Sequence, residues 1–218
     1  MLIKALSVKL NGKLILKEVR LELVKGLNVI LGPNGSGKTT LLRSIIGMLK
    51  PEEGEIQVEG ERSYAPAEFF GADMSVLDVL LSGGAKKHYQ EYLEILGLSE
   101  FLNRNFSTLS TGEKRLILIA KALAEGDVVL MDEPTSGLDL KNQAKLKRVL
   151  LGLKSKTIVV CTHDINLALL ADRVALLKNG RIIAQGEPKE VLTEALLSEL
   201  YDVQVKKVWL DGHSFFFV

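Results

Sequence analysis

Residues 32–39 read GPNGSGKT, a full match to the pattern G-x-x-x-x-G-K-[ST]. Glycine loses more chain entropy on folding than any other residue, so Gly32, Gly35 and Gly37 mark a place where the backbone must curl tightly. With Pro33, Asn34 and Ser36 between them, successive N–H groups can turn inward as an anion nest. A helix starting at Lys38 adds the partial positive charge of its N-terminus. Lys38 is expected to reach the β- and γ-phosphates of a nucleotide and the Thr39 hydroxyl to ligate Mg²⁺, with residues 32–40, Thr40 included, forming the ATP-binding set.

Such a loop needs an acidic partner at the end of a neighbouring strand. VVLMDEP at 128–134 supplies one: four apolar residues end in Asp132, placed to hold Mg²⁺ through water, and Glu133, placed to polarise an attacking water. Adjacent carboxylates could also cap a helix or sit solvated in a loop, but a matched phosphate loop favours the catalytic reading.

The elements that must position these residues follow from periodicity. The phosphate loop is flanked by a strand (26–31) and a helix predicted over 38–49. Residues 1–31 alternate like strands, with an Asn11-Gly12 hairpin turn. A second strand region lies in GEIQVEGERSYAP, and residues 74–125 are mostly helical. From 127 onward strands and helices alternate, and the all-apolar DVVLM and TIVVC suit a parallel sheet covered on both faces. The expectation is an α/β phosphate-loop NTPase core with a mainly parallel sheet and an N-terminal antiparallel β subdomain. A helical subdomain is inserted at 68–125, leaving 1–67 and 126–218 as the core of one 218-residue domain.

Composition excludes several classes. With 28 basic and 27 acidic residues, the net charge of +1 gives no electrostatic footprint for nucleic acid. One cysteine, Cys161, leaves no intrachain disulfide, and its place inside an apolar strand points to packing. Lys4 and Lys9 interrupt the apolar N-terminus, unlike a signal peptide, and no window approaches the ~20 apolar residues of a membrane span.

Further motifs, in this order, resemble those of the ATP-binding cassette (ABC) ATPases. LSTGEKRLILIAKAL at 109–123 is similar to the family signature, usually LSGGQ. SGLD at 136–139 follows Glu133 as the D-loop does, and CTHD at 161–164 places His163 where the switch histidine belongs. The resemblance covers most of residues 1–185. It implies that His163 hydrogen-bonds the γ-phosphate and orients Glu133 and water. It also implies that Ser110, Thr111, Gly112 and Glu113 cap the ATP held by a second copy, in a head-to-tail homodimer with two sandwiched ATPs. The physics agrees, since a helix starting there presents free N–H groups, although Ser110 would equally serve as a plain N-cap. Ser136, Gly137, Leu138 and chiefly Asp139 would line the dimer interface. His88 and His213 have no such context and read as surface residues.

Two features depart from the family pattern. Leu10 stands where an aromatic usually stacks on adenine, so modest affinity and weak base selectivity are expected. SYAPAEFF puts Ala67 where a glutamine usually contacts Mg²⁺, with Glu68 next as a substitute through a one-residue shift or as a bystander. The tail GEPKEVLTEALLSELYDVQVKKVWLDGHSFFFV is similar to that of ATPase subunits from importers of siderophores, haem, cobalamin and related metal chelates, with Asp211-Gly212 as the turn of a terminal hairpin. The resemblance therefore implies an ATPase on the cytoplasmic face of a membrane, working with separate transmembrane permease subunits and a substrate-binding protein. Rival readings are a soluble ABC ATPase acting as an ATP-driven clamp, and a nucleotide sensor without turnover, which the retained Glu133 and His163 argue against.

Overall fold

Strands with no polar alternation must be covered on both faces, and the structure stacks them side by side. The computed structural model describes residues 1–69, 73–82, 89–210 and 213–218. In chain order it forms β1 (Leu2–Leu10), β2 (Lys13–Glu22), β3 (Gly26–Leu31), α1 (Lys38–Ile46), β4 (Glu53–Gln57) and β5 (Arg62–Ala65). Helices α2 (Val76–Leu81), α3 (Tyr89–Leu96) and α4 (Thr111–Glu125) follow. Then come β6 (Val128–Asp132), α5 (Leu140–Gly152), β7 (Thr157–Thr162), α6 (Ile165–Ala168), β8 (Arg173–Lys178) and β9 (Arg181–Gly186). The chain continues through α7 (Pro188–Val191), α8 (Glu194–Tyr201), β10 (Lys206–Leu210) and β11 (His213–Phe217).

The central sheet has the order β5-β6-β7-β3-β8-β9, parallel except for β9. Every residue of β3 and β6 is buried. Alternate residues of one strand feed different cores, as the two-residue repeat requires. Leu27, Val29 and Leu31 join the cluster that includes Met131 and Val160, whereas Ile30 joins Leu130, Val159 and Cys161 on the other face. Asn28 is the polar intruder in β3; its amide bonds Val24 N and O, Gly26 O and Ile158 O, so its burial leaves nothing unpaired.

A separate antiparallel sheet, β2-β1-β4, packs on the second cluster. Its hairpin turns at Asn11 and Gly12, both at positive φ (48° and 77°), as a type I′ turn needs. Helices α2–α4 contribute Val76, Leu93, Leu96, Leu116 and Leu123 to the first cluster, so the helical segment shares one apolar body with the sheet. Thus the expected fold, a P-loop NTPase core with antiparallel and helical additions, is the one observed. Two boundaries differ. α1 stops at Ile46 rather than 49 because Gly47 enters the left-handed region (φ 93°) and its N–H and that of Met48 bond back to Ser44 and Arg43. The helical pattern after His163 yields only the four residues of α6. At the tail, β10 and β11 pair antiparallel, and the proposed Asp211-Gly212 turn lies outside the described residues.

Candidate active site

β6, β7 and β3 are adjacent in the sheet and parallel, so the residues after their C-terminal ends converge at one edge. There a cleft of about 350 Å³ is walled by the loop after β3, by Asp132 at the end of β6 and Glu133 after it, and by Ile15 and Ala67.

The loop after β3 has the shape that its glycines allow. Gly35 and Gly37 sit at φ 78° and 108°, where a side chain would be strained. A Cβ at Gly32 would meet Leu177 O at 2.4 Å, and one at Gly37 would meet Leu16 Cδ2 at 2.9 Å. Gly37 caps α1 without a side-chain hydrogen bond, so among the described residues no capping side chain occupies the helix's first-turn N–H groups. Lys38 Nζ donates to Gly32 O (2.7 Å) and Pro33 O (3.2 Å) and lies 3.7 Å from Glu133 Oε1. Ser36 Oγ is buried with no partner among the described residues. Behind the loop, the β8–β9 turn at Asn179-Gly180 braces it, with Gly180 N donating to Ser36 O at 2.9 Å.

Asp132 is 2% exposed, and its Oδ2 accepts a 2.6 Å hydrogen bond from Thr39 Oγ1. Burial pushes its carboxyl above the ordinary value; the Thr39 hydrogen bond opposes this, while the neighbouring Glu133 charge adds to it. Glu133 itself has φ 46°, a region that non-glycine residues rarely enter. Its N–H donates to Cys161 O (2.9 Å), and its carbonyl accepts from Arg115 Nη1 (2.9 Å) and Ser136 N (3.1 Å). Its carboxylate accepts from Thr162 Oγ1 (3.0 Å) and lies 3.2 and 3.1 Å from His163 Nδ1 through its two oxygens. Cys161 is fully buried, and burial pushes its thiol well up, so it packs rather than reacts.

The residues read from LSTGE stand apart from this cleft. Ser110 is the N-cap of α4: its Oγ accepts from Glu113 N (3.3 Å) and its N–H donates to Glu113 Oε2 (2.7 Å). Those hydrogen bonds lower the Glu113 carboxyl. Thr111 and Ser110 are exposed, and Gly112 lies beside the 136–139 loop of the same chain, where an added Cβ would be 3.4 Å from Gly137 O. Ser136, Gly137 and Asp139 are exposed, and Asp139 caps α5 by accepting from Asn142 N at 2.7 Å. Leu138 is 7% exposed and packs in the core of its own chain, while the next leucine, Leu140, is bare at 84%.

Two expectations shift. Leu10 pairs with Lys13 across the hairpin end and does not line the cleft; Ile15, further along β2, does. Ala67 lines the cleft, whereas Glu68 is exposed and outside its lining. His88 and the side chain of His213 fall outside the described residues. Sequence reasoning missed Arg115, Thr162, Ile15 and the Asn179-Gly180 turn. Only the last had a signal, an Asn-Gly pair between two apolar runs.

Comparison with known proteins agrees with this geometry. The ABC transporter family model matches residues 16–136. A hemin import ATP-binding protein of Hahella chejuensis is 33% identical, over 91% of this chain and 91% of that protein. A structure assigned to a metal-chelate type ABC transporter in an inward-facing conformation superposes with a TM-score of 0.86 at 29% identity, covering 99% of this chain and 94% of that one. The dimeric structure of a bacterial ABC transporter cassette superposes at 0.75 and 27% identity, covering 86% and 98%. Among the described residues no helix is long and apolar enough to cross a membrane. With the family matched over more than half its length and a relative matched along nearly all of it, the chain belongs to the ABC transporter family, as an ATP-binding, ATP-hydrolysing subunit.

Proposed function

We propose that Glu133 positions and activates the water that attacks ATP, and that this turnover drives import of a metal chelate through separate membrane subunits. The carrying observation is the Glu133 carboxylate, at the cleft between Thr162, His163 and Lys38. Lys38 exchanges its loop carbonyls for the β- and γ-phosphates, and the N–H groups of residues 34–40 cradle them. His163 orients Glu133 through Nδ1 and keeps an exposed edge for the γ-phosphate. Among the described residues no group of three His, Cys, Asp or Glu converges. A hydroxyl–carboxylate pair of hard oxygens, Thr39 and Asp132, instead fits Mg²⁺, which takes few protein ligands alongside substrate phosphates. Bound there, Mg²⁺ would neutralise phosphate charge.

The helix start at Ser110–Glu113 lies outside its own chain's cleft, which supports a head-to-tail dimer in which it caps the partner's ATP. Ser136, Gly137 and Asp139 would face that partner, with exposed Leu140 beside them. Residues 68–125 would form the helical insertion that docks on the permease at the cytoplasmic face, with a substrate-binding protein completing the system. The hemin relative and the metal-chelate type structure support this class of cargo. Light scattering tests the composite site. Glu133→Gln protein with ATP should double its mass, and adding Ser110→Arg should prevent this. An ATP-bound monomer that hydrolyses ATP at low concentration would refute it.

A further inference from the structure

The opening turns of α4 carry a buried cation that none of the roles above uses. Arg115 is 8% exposed. Its Nη1 donates to Glu133 O and its Nη2 to Ala67 O, both at 2.9 Å, and its Cζ lies 5.6 Å from the centre of the Phe69 ring. Nε finds no acceptor among the described residues. Burial lowers the affinity of this guanidinium for its proton, and the Glu133 and Asp132 carboxylates oppose that shift. A buried cation satisfied chiefly by two neutral carbonyls is a costly way to stabilise a helix, since an apolar side chain would pack there without desolvating a charge.

What the arrangement does supply is geometry. The two carbonyls follow neighbouring strands and their residues both line the cleft: Ala67 after β5 and Glu133 after β6. The Glu133 backbone is held in the left-handed region, and the orientation of its peptide decides where its carboxylate points. The fork of a guanidinium spans two acceptors in a fixed relation, which an ammonium does not.

We propose that Arg115 is a positioning residue that fixes the Glu133 peptide against the Ala67 loop and thereby aims the Glu133 carboxylate. Any displacement of the start of α4 then moves the loops after β5 and β6 together. The inference rests on the reading of Glu133 as the residue that activates water.

The test compares Arg115→Met and Arg115→Lys, alone and combined with Glu133→Gln. Calorimetric ATP titration gives affinity, and single-turnover hydrolysis with Mg²⁺ present gives the rate. Misplacing a reacting group by about 1 Å can cost ~10²-fold. Arg115→Met should therefore lose roughly 10–100-fold in rate while ATP affinity stays within about 3-fold. Arg115→Lys, able to serve one carbonyl at a time, should recover part of it. In the Glu133→Gln background Arg115→Met should change the residual rate by less than about 2-fold, because the group it aims is already gone. A wild-type rate in Arg115→Met beside an inactive Glu133→Gln would overturn the inference alone. So would an equal loss in both backgrounds, which marks a general structural role. Wild-type turnover in Glu133→Gln would overturn the underlying reading and the inference with it. Should Arg115→Met fail to fold, the same comparison with Arg115→Lys decides.

Discussion

Replacing Asp132 with asparagine should make the nucleotide-free protein more stable while removing its turnover. Asp132 is 2% exposed, and burial raises its pKa above the ordinary 3.8, so the folded state favours the neutral form. The sign is the reverse of a salt-bridged carboxylate. At pH below the unfolded value the charge carries no penalty; as pH rises through the raised folded value the penalty becomes complete and then stays constant. Asparagine keeps an oxygen for the 2.6 Å bond from Thr39 but carries no charge. A charge-assisted hydrogen bond of ~1.5–3 kcal/mol becomes a neutral one of ~0.5–1.5, a loss of about 1 kcal/mol. Against that stands the effective penalty of a desolvated carboxylate, several kcal/mol before nearby Lys38 and Arg43 offset part of it. A net gain of about 1–2 kcal/mol is expected, or roughly 2–8 °C in Tm at 2–4 °C per kcal/mol for a chain of this size. Thermal unfolding of both proteins from pH 4 to 8, without nucleotide or Mg²⁺, measures it. The Tm difference should grow with pH and level off. An Asp132→Asn protein less stable than wild type near pH 7, or a pH-independent difference, would refute the reasoning.

Because Ile15 rather than Leu10 lines the cleft, Ile15→Tyr should tighten ATP binding by roughly tenfold through base stacking, and Leu10→Tyr should change it little; calorimetric titration of both variants separates the two positions. Gly180→Ala would place a Cβ 1.9 Å from Ile15 O at φ 80°, so denaturant unfolding should show a loss above ~2 kcal/mol, and ATP affinity should fall because the turn braces the Ser36 carbonyl.

How much of this could be read from residue order depended on the range of the interaction. The phosphate loop, its flanking strand and helix, and the Asp132-Glu133 strand end are local patterns, and each stands where the sequence places it. The Asn11-Gly12 turn is local too, and both residues adopt the positive φ that their types allow. Gly47 was a readable stop for α1 and should have ended the predicted helix. Which β2 residue reaches the cleft depends on how a separate sheet packs against the core, so Leu10 and Ile15 could not be distinguished by spacing. Arg115 was invisible for the same reason: its partners are 18 and 48 residues away, and an arginine in an amphipathic helix ordinarily faces water. Leu138 and Leu140 stand two residues apart, yet the loop's turn buries one leucine and bares the other, which residue order alone does not reveal.

The central claim is that Glu133 activates the attacking water, and the Glu133→Gln protein tests it most directly. Glutamine keeps an oxygen for Thr162 Oγ1 and the size of the side chain, so the cleft should hold its shape. Measured with Mg²⁺ present, ATP affinity should stay within about 3-fold of wild type while hydrolysis falls by ~10²–10⁴-fold, the range of a general base. Hydrolysis near the wild-type rate at unchanged affinity would contradict the account.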